Sequence, residues 1–249
     1  MTLGIIGGTG LTTLPGLRIL KSHAVDTPFG ATSAPVEEGE YGGHPVFFLQ
    51  RHGHAPAVRP PHRVNYRANI WALHALGVRR LIAVNAVGAI APALQPGRLV
   101  IPDQLIDYSW GREHSFADGR DGTLQHIDFT HPYDATLREM LLRAASNAAV
   151  PCVDGAVLAV TQGPRLETAA EIQRLARDGC DVVGMTGMPE AALAREIGLA
   201  YVCVCMIVNA AAGLGEAVIS LESIRAVLAQ EVRLLADLLA AVIPAVAAS

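Results

Sequence analysis

Apolar positions along this chain fall into two rhythms. Short, almost unbroken apolar runs occupy Leu3–Ile6, Val46–Gln50, Leu81–Asn85, Leu99–Ile101, Ala156–Thr161, Val182–Met185 and Tyr201–Val208. Runs this short, bounded by glycine and polar turns, read as buried strands. Between them, apolar residues recur at three- and four-residue spacing over Val64–Leu76, Asp134–Ala149, Thr168–Arg177, Pro189–Ile197 and Leu221–Val242. That spacing marks one face of a helix, and Pro189 suits a first helical turn. The alternation predicts one α/β domain over residues 1–249, with a central mixed, twisted sheet flanked by helices. No repeat or linker divides it. The stretch Trp110–Thr130, rich in Gly, Asp and His, predicts the longest loop, of the kind that tends to carry function or an interface arm.

Polar residues collect where the predicted strands end: Gly8-Thr9, Arg51-His52-Gly53-His54, Asn85-Ala86, Thr161 to Arg165, Met185-Thr186 and Asn209. Ligands of open α/β sheets gather at the carboxyl ends of strands, so strands of one sheet would bring these turns to one pocket. The first turn, in GIIGGTGL, is glycine-rich. Such a turn can aim backbone N–H groups at an anion. A dinucleotide fingerprint would need glycine where Thr13 stands, and a triphosphate loop would need a lysine that does not follow Gly10. Taken alone, a tight turn without ligand and an anion site fit this stretch equally well.

Composition narrows the class. With 249 residues and 51% hydrophobic content, the chain can bury a sizeable core. A net charge of −4, with no basic patch interleaved with aromatics, argues against a general nucleic-acid or membrane binder. The apolar start is too short for a signal peptide and lacks a basic segment. The tail LLADLLAAVIPAVAAS is interrupted by Asp237 and Pro244. It reads as a helix packed on the body or on a neighbouring subunit rather than a membrane span. None of the four cysteines forms a C-x-x-C pair; Cys203 and Cys205 alternate onto one strand face and pack as small hydrophobes. The expectation is a reduced, cytoplasmic protein.

The chemistry of the turns points to an oxyanion. Arg51 offers a planar fork of donors suited to phosphate oxygens. The pair His52 and His54 is weak evidence for zinc, because no third ligand of suitable spacing accompanies it. With Thr9 and Thr186, the set comprises one cation, hydroxyls and backbone amides. No lysine and no carboxylate pair is placed to hold Mg²⁺. That set suits an inorganic phosphate site.

The motifs GIIGGTGL, QRHGH, VNYRANIWAL, TQGPRLET and VGMTGMPEAALARE, in that order, resemble the trimeric purine nucleoside phosphorylase family, closest to its 5′-methylthioadenosine phosphorylase branch. The resemblance runs from residue 3 to about residue 230. It implies a homotrimer that splits a purine nucleoside with phosphate. It further implies that Thr9, Arg51, His52, the Asn85-Ala86 turn and Thr186 bind phosphate, and that Met185 lies under the ribose. Gly163 to Thr168, including Leu166, would line the base. His126, in QHIDF, would reach into a neighbouring subunit's site near the sugar.

Departures from the branch concern the base and the sugar. Where adenine-specific members carry aspartates, this chain has Asn209 and Ala211; where they carry serine, it has Glu167. The 6-oxopurine phosphorylases carry Glu and Asn at the two corresponding places. Adenine offers an N6 donor beside the N7 acceptor, whereas hypoxanthine offers O6 and N7 acceptors and an N1–H donor. An asparagine amide can donate to O6 and accept a proton developing on N7, and an ionised Glu167 can accept from N1–H. The competing structural reading is that Asn209 caps a turn and Glu167 caps the next helix. At the sugar end, Leu221 and Ile224 fall where valines meet the methylthio group. An apolar wall there would leave a 5′-hydroxyl unpaired, although both also suit an ordinary helix core. These features lead to an expected substrate that joins 5-methylthioribose to hypoxanthine, with hypoxanthine and 5-methylthioribose 1-phosphate as products and Asn209 and Glu167 as the catalytic pair. Still open are a methylthioadenosine phosphorylase with an altered base pocket, a 6-oxopurine nucleoside phosphorylase, a nucleoside hydrolase and an NAD-binding protein.

Overall fold

The computed structural model describes residues 2–117, 119, 123–215 and 221–248, without the side chains at 221–225 and 248. In chain order the elements are β1 (Thr2–Gly7), β2 (Leu17–His23), β3 (Val36–Tyr41), β4 (His44–Gln50), α1 (Tyr66–Ala75), β5 (Val78–Ala89), β6 (Leu99–Ile101) and β7 (Gln104–Asp107). There follow α2 (Ala135–Asn147), β8 (Cys152–Asp154), β9 (Val157–Val160), α3 (Ala169–Arg177), β10 (Val182–Gly184), α4 (Glu190–Glu196), β11 (Ala200–Ala210) and α5 (Leu221–Ala248).

The strands join into one mixed sheet in the order β2-β3-β4-β1-β5-β10-β9-β7, with β11 on β5 and β6, and β8 on β6. β5 is the hub. It pairs in parallel with β1 along Val78–Ala83 and with β11 along Arg80–Ala89, and its last residues pair antiparallel with β10. A strand flanked on both edges and covered on both faces reads as a continuous apolar run. β11 does so, being buried from Tyr201 to Val208. Along α5, Leu235, Leu238, Leu239, Val242, Ile243 and Val246 are buried, the stripe that three- and four-residue spacing requires. Each such side chain stabilises by roughly 1.5–3 kcal/mol.

Helix starts follow local chemistry. Asn65 and Asp134 accept from the backbone N–H of Ala68 and Leu137 and so cap α1 and α2. Thr168 and Glu171 form a reciprocal capping box on α3. Pro189 is the N-cap of α4 rather than a residue of its first turn.

Four strands were not apparent in the apolar rhythm. The five central residues of β2 are exposed, and β3 carries Glu37, Glu38 and Glu40. This hairpin extends the sheet past β4 and shows no apolar alternation. β7 is only half-buried, and β8 is three residues long. Two predicted strand ends also move. Asn85 and Ala86 lie within β5 rather than in a turn after it, because Val84–Ala89 goes on pairing with β11. Asn209 likewise lies within β11. α5 continues past Val242 to Ala248, with Pro244 inside it.

Candidate active site

The carboxyl ends of β1, β4, β10 and β11 and the interior of β5 surround a cavity of about 820 Å³. At one end stand Gly8, Thr9, Gly10, Gln50, Arg51 and His52. Ala86, Met185 and Thr186 follow. Pro164, Leu166, Glu167, Val208 and Asn209 form the other end.

At the first end, Gly8 is a glycine because of close approach: a Cβ there would stand 2.8 Å from Arg51 Nη1 and 2.5 Å from the Val84 carbonyl oxygen. Arg51 is fully buried. Its Nε and Nη2 donate to Glu190 at 2.5 and 2.9 Å, and Nη1 donates to Val84 O at 2.8 Å. Glu190, equally buried, also accepts from the Tyr201 hydroxyl at 3.1 Å. Burial opposes the charge, but the Glu190 carboxylate outweighs it and keeps Arg51 protonated more firmly than in water. His52 Nδ1 lies 2.9 Å from the Arg59 carbonyl oxygen. A carbonyl only accepts, so this nitrogen carries the proton, and in the neutral ring Nε2 is an acceptor. Burial first, and the Arg51 charge second, lower the proton affinity of His52 below its ordinary value.

In the middle, Thr186 donates its hydroxyl to Asn85 Oδ1 at 2.9 Å. Asn85 Nδ2 returns to the Thr186 carbonyl at 3.3 Å and to Cys203 Sγ at 3.0 Å. Thr186 faces the cavity, whereas the Asn85 side chain sits behind it. Gly163 adopts φ +60°, and a Cβ there would stand 2.5 Å from Met185 Sδ. The turn after β9 therefore closes directly onto Met185.

At the far end, Thr161 Oγ1 donates to Glu167 Oε1 at 2.6 Å. Glu167 does not cap α3, since Thr168 and Glu171 do that. Asn209 is aimed by a register shift in β11: Ile207 faces Val87 and Asn209 faces Gly88, leaving Val208 as the extra residue of a bulge. Asn209 Nδ2 donates to the Ala210 carbonyl at 2.6 Å. Among the described residues its other N–H and Oδ1 have no further partner.

Residues 2–244 match the Phosphorylase superfamily. The chain belongs to that superfamily. It is 54% identical over 220 residues to "probable S-methyl-5′-thioinosine phosphorylase" of Pseudomonas syringae pv. tomato, covering 88% of this chain and 89% of the relative. It is 43% identical over 217 residues to the 6-oxopurine nucleoside phosphorylase of Pyrococcus furiosus, covering 85% of this chain and 80% of that one. A solved structure of Schistosoma mansoni methylthioadenosine phosphorylase with adenine superposes with a TM-score of 0.94 at 30% identity, covering 100% of this chain and 92% of the other.

Within this superfamily member, most of the residues expected from sequence share the one cavity: Thr9, Arg51, His52, Ala86, Leu166, Glu167, Met185, Thr186 and Asn209. Gly163 lines an adjoining cavity of about 450 Å³, which Glu167 also reaches. His126 is exposed and stands apart from the cavity wall. The side chains of Leu221 and Ile224 lie outside the described residues. His54 is exposed. Among the described residues no group of three or more His, Cys, Asp or Glu is arranged to hold a metal ion, and no helix is long and apolar enough to cross a membrane.

Sequence reasoning missed two buried charges. Glu190, read as part of a helix face, anchors Arg51. Arg112, from the long loop before α2, donates to the carbonyls of Thr161, Gln162, Met185 and Met188 at 3.0, 3.0, 3.0 and 2.5 Å. One guanidinium thus ties the turn after β9 to the turn after β10. Nothing in the local sequence distinguishes Arg112 from a solvated loop arginine.

Proposed function

We propose that the chain catalyses phosphorolysis of S-methyl-5′-thioinosine to hypoxanthine and 5-methylthioribose 1-phosphate. The observation that carries this reading is that Glu167 and Asn209 line the same cavity as Thr9, Arg51, His52 and Thr186. In this reading Glu167 and Asn209 form the base site, Thr9, Arg51, His52 and Thr186 the oxyanion site of the same cavity, and Met185 lies under the sugar.

In this reading phosphate accepts from Arg51 and from the backbone of the glycine turn, and it attacks C1′ from the face opposite the base. Neutral His52 accepts, through Nε2, from a phosphate O–H or a ribose hydroxyl. Asn85 acts indirectly, by orienting Thr186. As the C1′–N9 bond breaks, its electron pair passes to the purine and positive charge grows on the ribosyl ring. The adjacent phosphate stabilises that charge. Glu167, held by Thr161, accepts from N1–H, and Asn209 Nδ2 donates to O6. A proton taken up from solvent at N7 hydrogen-bonds to Asn209 Oδ1. Positioning and electrostatics carry the rate, and no metal or organic cofactor enters. Leu221 and Ile224 are assigned to the methylthio group. The exposed His126 is assigned to a neighbouring subunit's sugar site in a homotrimer. Four unpaired thiols support a reducing, cytoplasmic setting.

A second reading, a 6-oxopurine nucleoside phosphorylase acting on ordinary nucleosides, is favoured by the Pyrococcus relative. It shares the base site and differs at the sugar. Initial rates with methylthioinosine, methylthioadenosine and inosine, each with and without phosphate, separate these cases. The proposal expects phosphate-dependent turnover with methylthioinosine preferred. Preference for inosine would favour the second reading, preference for methylthioadenosine would overturn the base assignment, and turnover without phosphate would make the protein a hydrolase.

A further inference from the structure

The oxyanion end of the cavity has a charge problem. Arg51 is neutralised by Glu190 through two hydrogen bonds at 2.5 and 2.9 Å, with both side chains fully buried. Such a pair offers donors but little net charge to the cavity. His52 is disfavoured as a cation by burial and by Arg51. The hydroxyls and backbone amides are neutral. A phosphate dianion entering a site of this kind would give up its hydration without meeting a positive potential.

Arg59 lines the same cavity. Its backbone is locked to His52 in both directions: Arg59 N donates to the His52 carbonyl at 2.7 Å, and the Arg59 carbonyl accepts from His52 Nδ1 at 2.9 Å. Its Nη1 donates to the Thr32 carbonyl at 2.8 Å, a neutral partner. Among the described residues no carboxylate forms an ion pair with it. Of the two arginines on this wall, it is the one whose charge is not cancelled. A fixed charge in a low-dielectric cleft raises the local concentration of its counter-ion.

We propose that Arg59 is a further phosphate-binding residue, supplying the net positive charge that draws inorganic phosphate to Arg51 and His52 and holds it there. The inference rests on the phosphorolysis reading above. Two physical roles for Arg59 must be told apart: its charge, and the hydrogen bond to Thr32 that shapes the loop. Lysine keeps the charge, and glutamine keeps only a neutral donor.

The test is the phosphate KM and the nucleoside KM of the wild type, Arg59→Ala, Arg59→Gln and Arg59→Lys. The phosphate KM should rise about tenfold or more in Arg59→Ala and Arg59→Gln, the loss of one partly screened charge beside the anion. It should return to within about threefold of wild type in Arg59→Lys, while the nucleoside KM stays within about twofold throughout. Added salt should weaken phosphate binding more in the wild type than in Arg59→Gln. An unchanged phosphate KM in Arg59→Gln, or rescue by glutamine equal to that by lysine, would overturn the proposal. If Arg59→Ala does not fold, the glutamine and lysine variants decide it. Wild-type turnover without phosphate would sink the phosphorolysis reading itself. A phosphate-dependent wild type with indifferent Arg59 variants would sink this inference alone.

Discussion

Arg51 and Glu190, 139 residues apart, meet as a fully buried bidentate ion pair with Nε–Oε1 and Nη2–Oε2 distances of 2.5 and 2.9 Å. The pair joins the turn after β4 to the first residue of α4, and so fixes the floor of the proposed oxyanion site against the helix that follows Thr186. Removing one partner leaves the other buried and unpaired. Glu190→Gln should therefore lower stability by about 3–5 kcal/mol, read as a shift in denaturant midpoint. Because the freed Arg51 charge then faces the cavity, phosphate should stabilise this variant more than it stabilises the wild type. Equal stability of variant and wild type would mean that the pair contributes nothing.

Base selection is predicted to reside in Asn209 and Glu167. A mispaired buried polar group costs about 1–3 kcal/mol, so the double change Asn209→Asp with Glu167→Ser should shift the ratio of kcat/KM for methylthioinosine over methylthioadenosine towards adenine by about a hundredfold. A ratio unmoved by the double change would place base selection elsewhere.

Asn85 is predicted to work through Thr186. Asn85→Ala removes the acceptor that orients the Thr186 hydroxyl and should raise the phosphate KM about fivefold, with Thr186→Val having the larger effect and the double variant adding little. Fully additive effects would show that the two residues act independently.

Arg112 gathers carbonyls from two turns, which a point-like ammonium cannot do. Arg112→Lys should lower kcat about tenfold or more by loosening Thr161 and Met185, with KM for both reactants changing less. The check is a steady-state comparison alongside thermal unfolding. A wild-type kcat in a folded Arg112→Lys variant would remove the clamp from the account.

His52 gives a pH dependence of definite sign. Its proton affinity in the folded chain lies below that of the unfolded chain, first through burial and then through Arg51. As pH falls through the unfolded value of about 6.5, the unfolded state takes up the proton first. The stability held above that pH is then lost as the pH falls further below it. The thermal midpoint should fall over this range, and it should fall less in His52→Asn. An equal fall in both proteins would assign the loss to other groups.

Much of this was legible in the chain. The buried strands announce themselves as apolar runs because both of their faces are covered, and the helices through their three- and four-residue spacing. The GGTG, QRHG and GMTG turns mark strand ends where backbone and short polar side chains line the cavity. The β2–β3 hairpin was illegible because edge strands with exposed faces carry no alternation. Asn85 looked like a turn residue because a polar amide normally ends a strand. Here Thr186, in the turn after β10, and Cys203, on β11, satisfy it, which lets it stay buried within β5.

Local pattern by itself determined the α/β class, the order of most elements and the chemistry expected at the strand ends, since periodicity and turn residues act over a few positions. Tertiary structure alone decided that Glu190 neutralises Arg51, that Arg112 binds two turns together, that the Val208 bulge turns Asn209 to the cavity, and that Arg59 meets no carboxylate among the described residues. Each of those depends on partners tens of residues or more away, or on a one-residue slip between strands. Such relations arise from packing and leave no local signature in sequence.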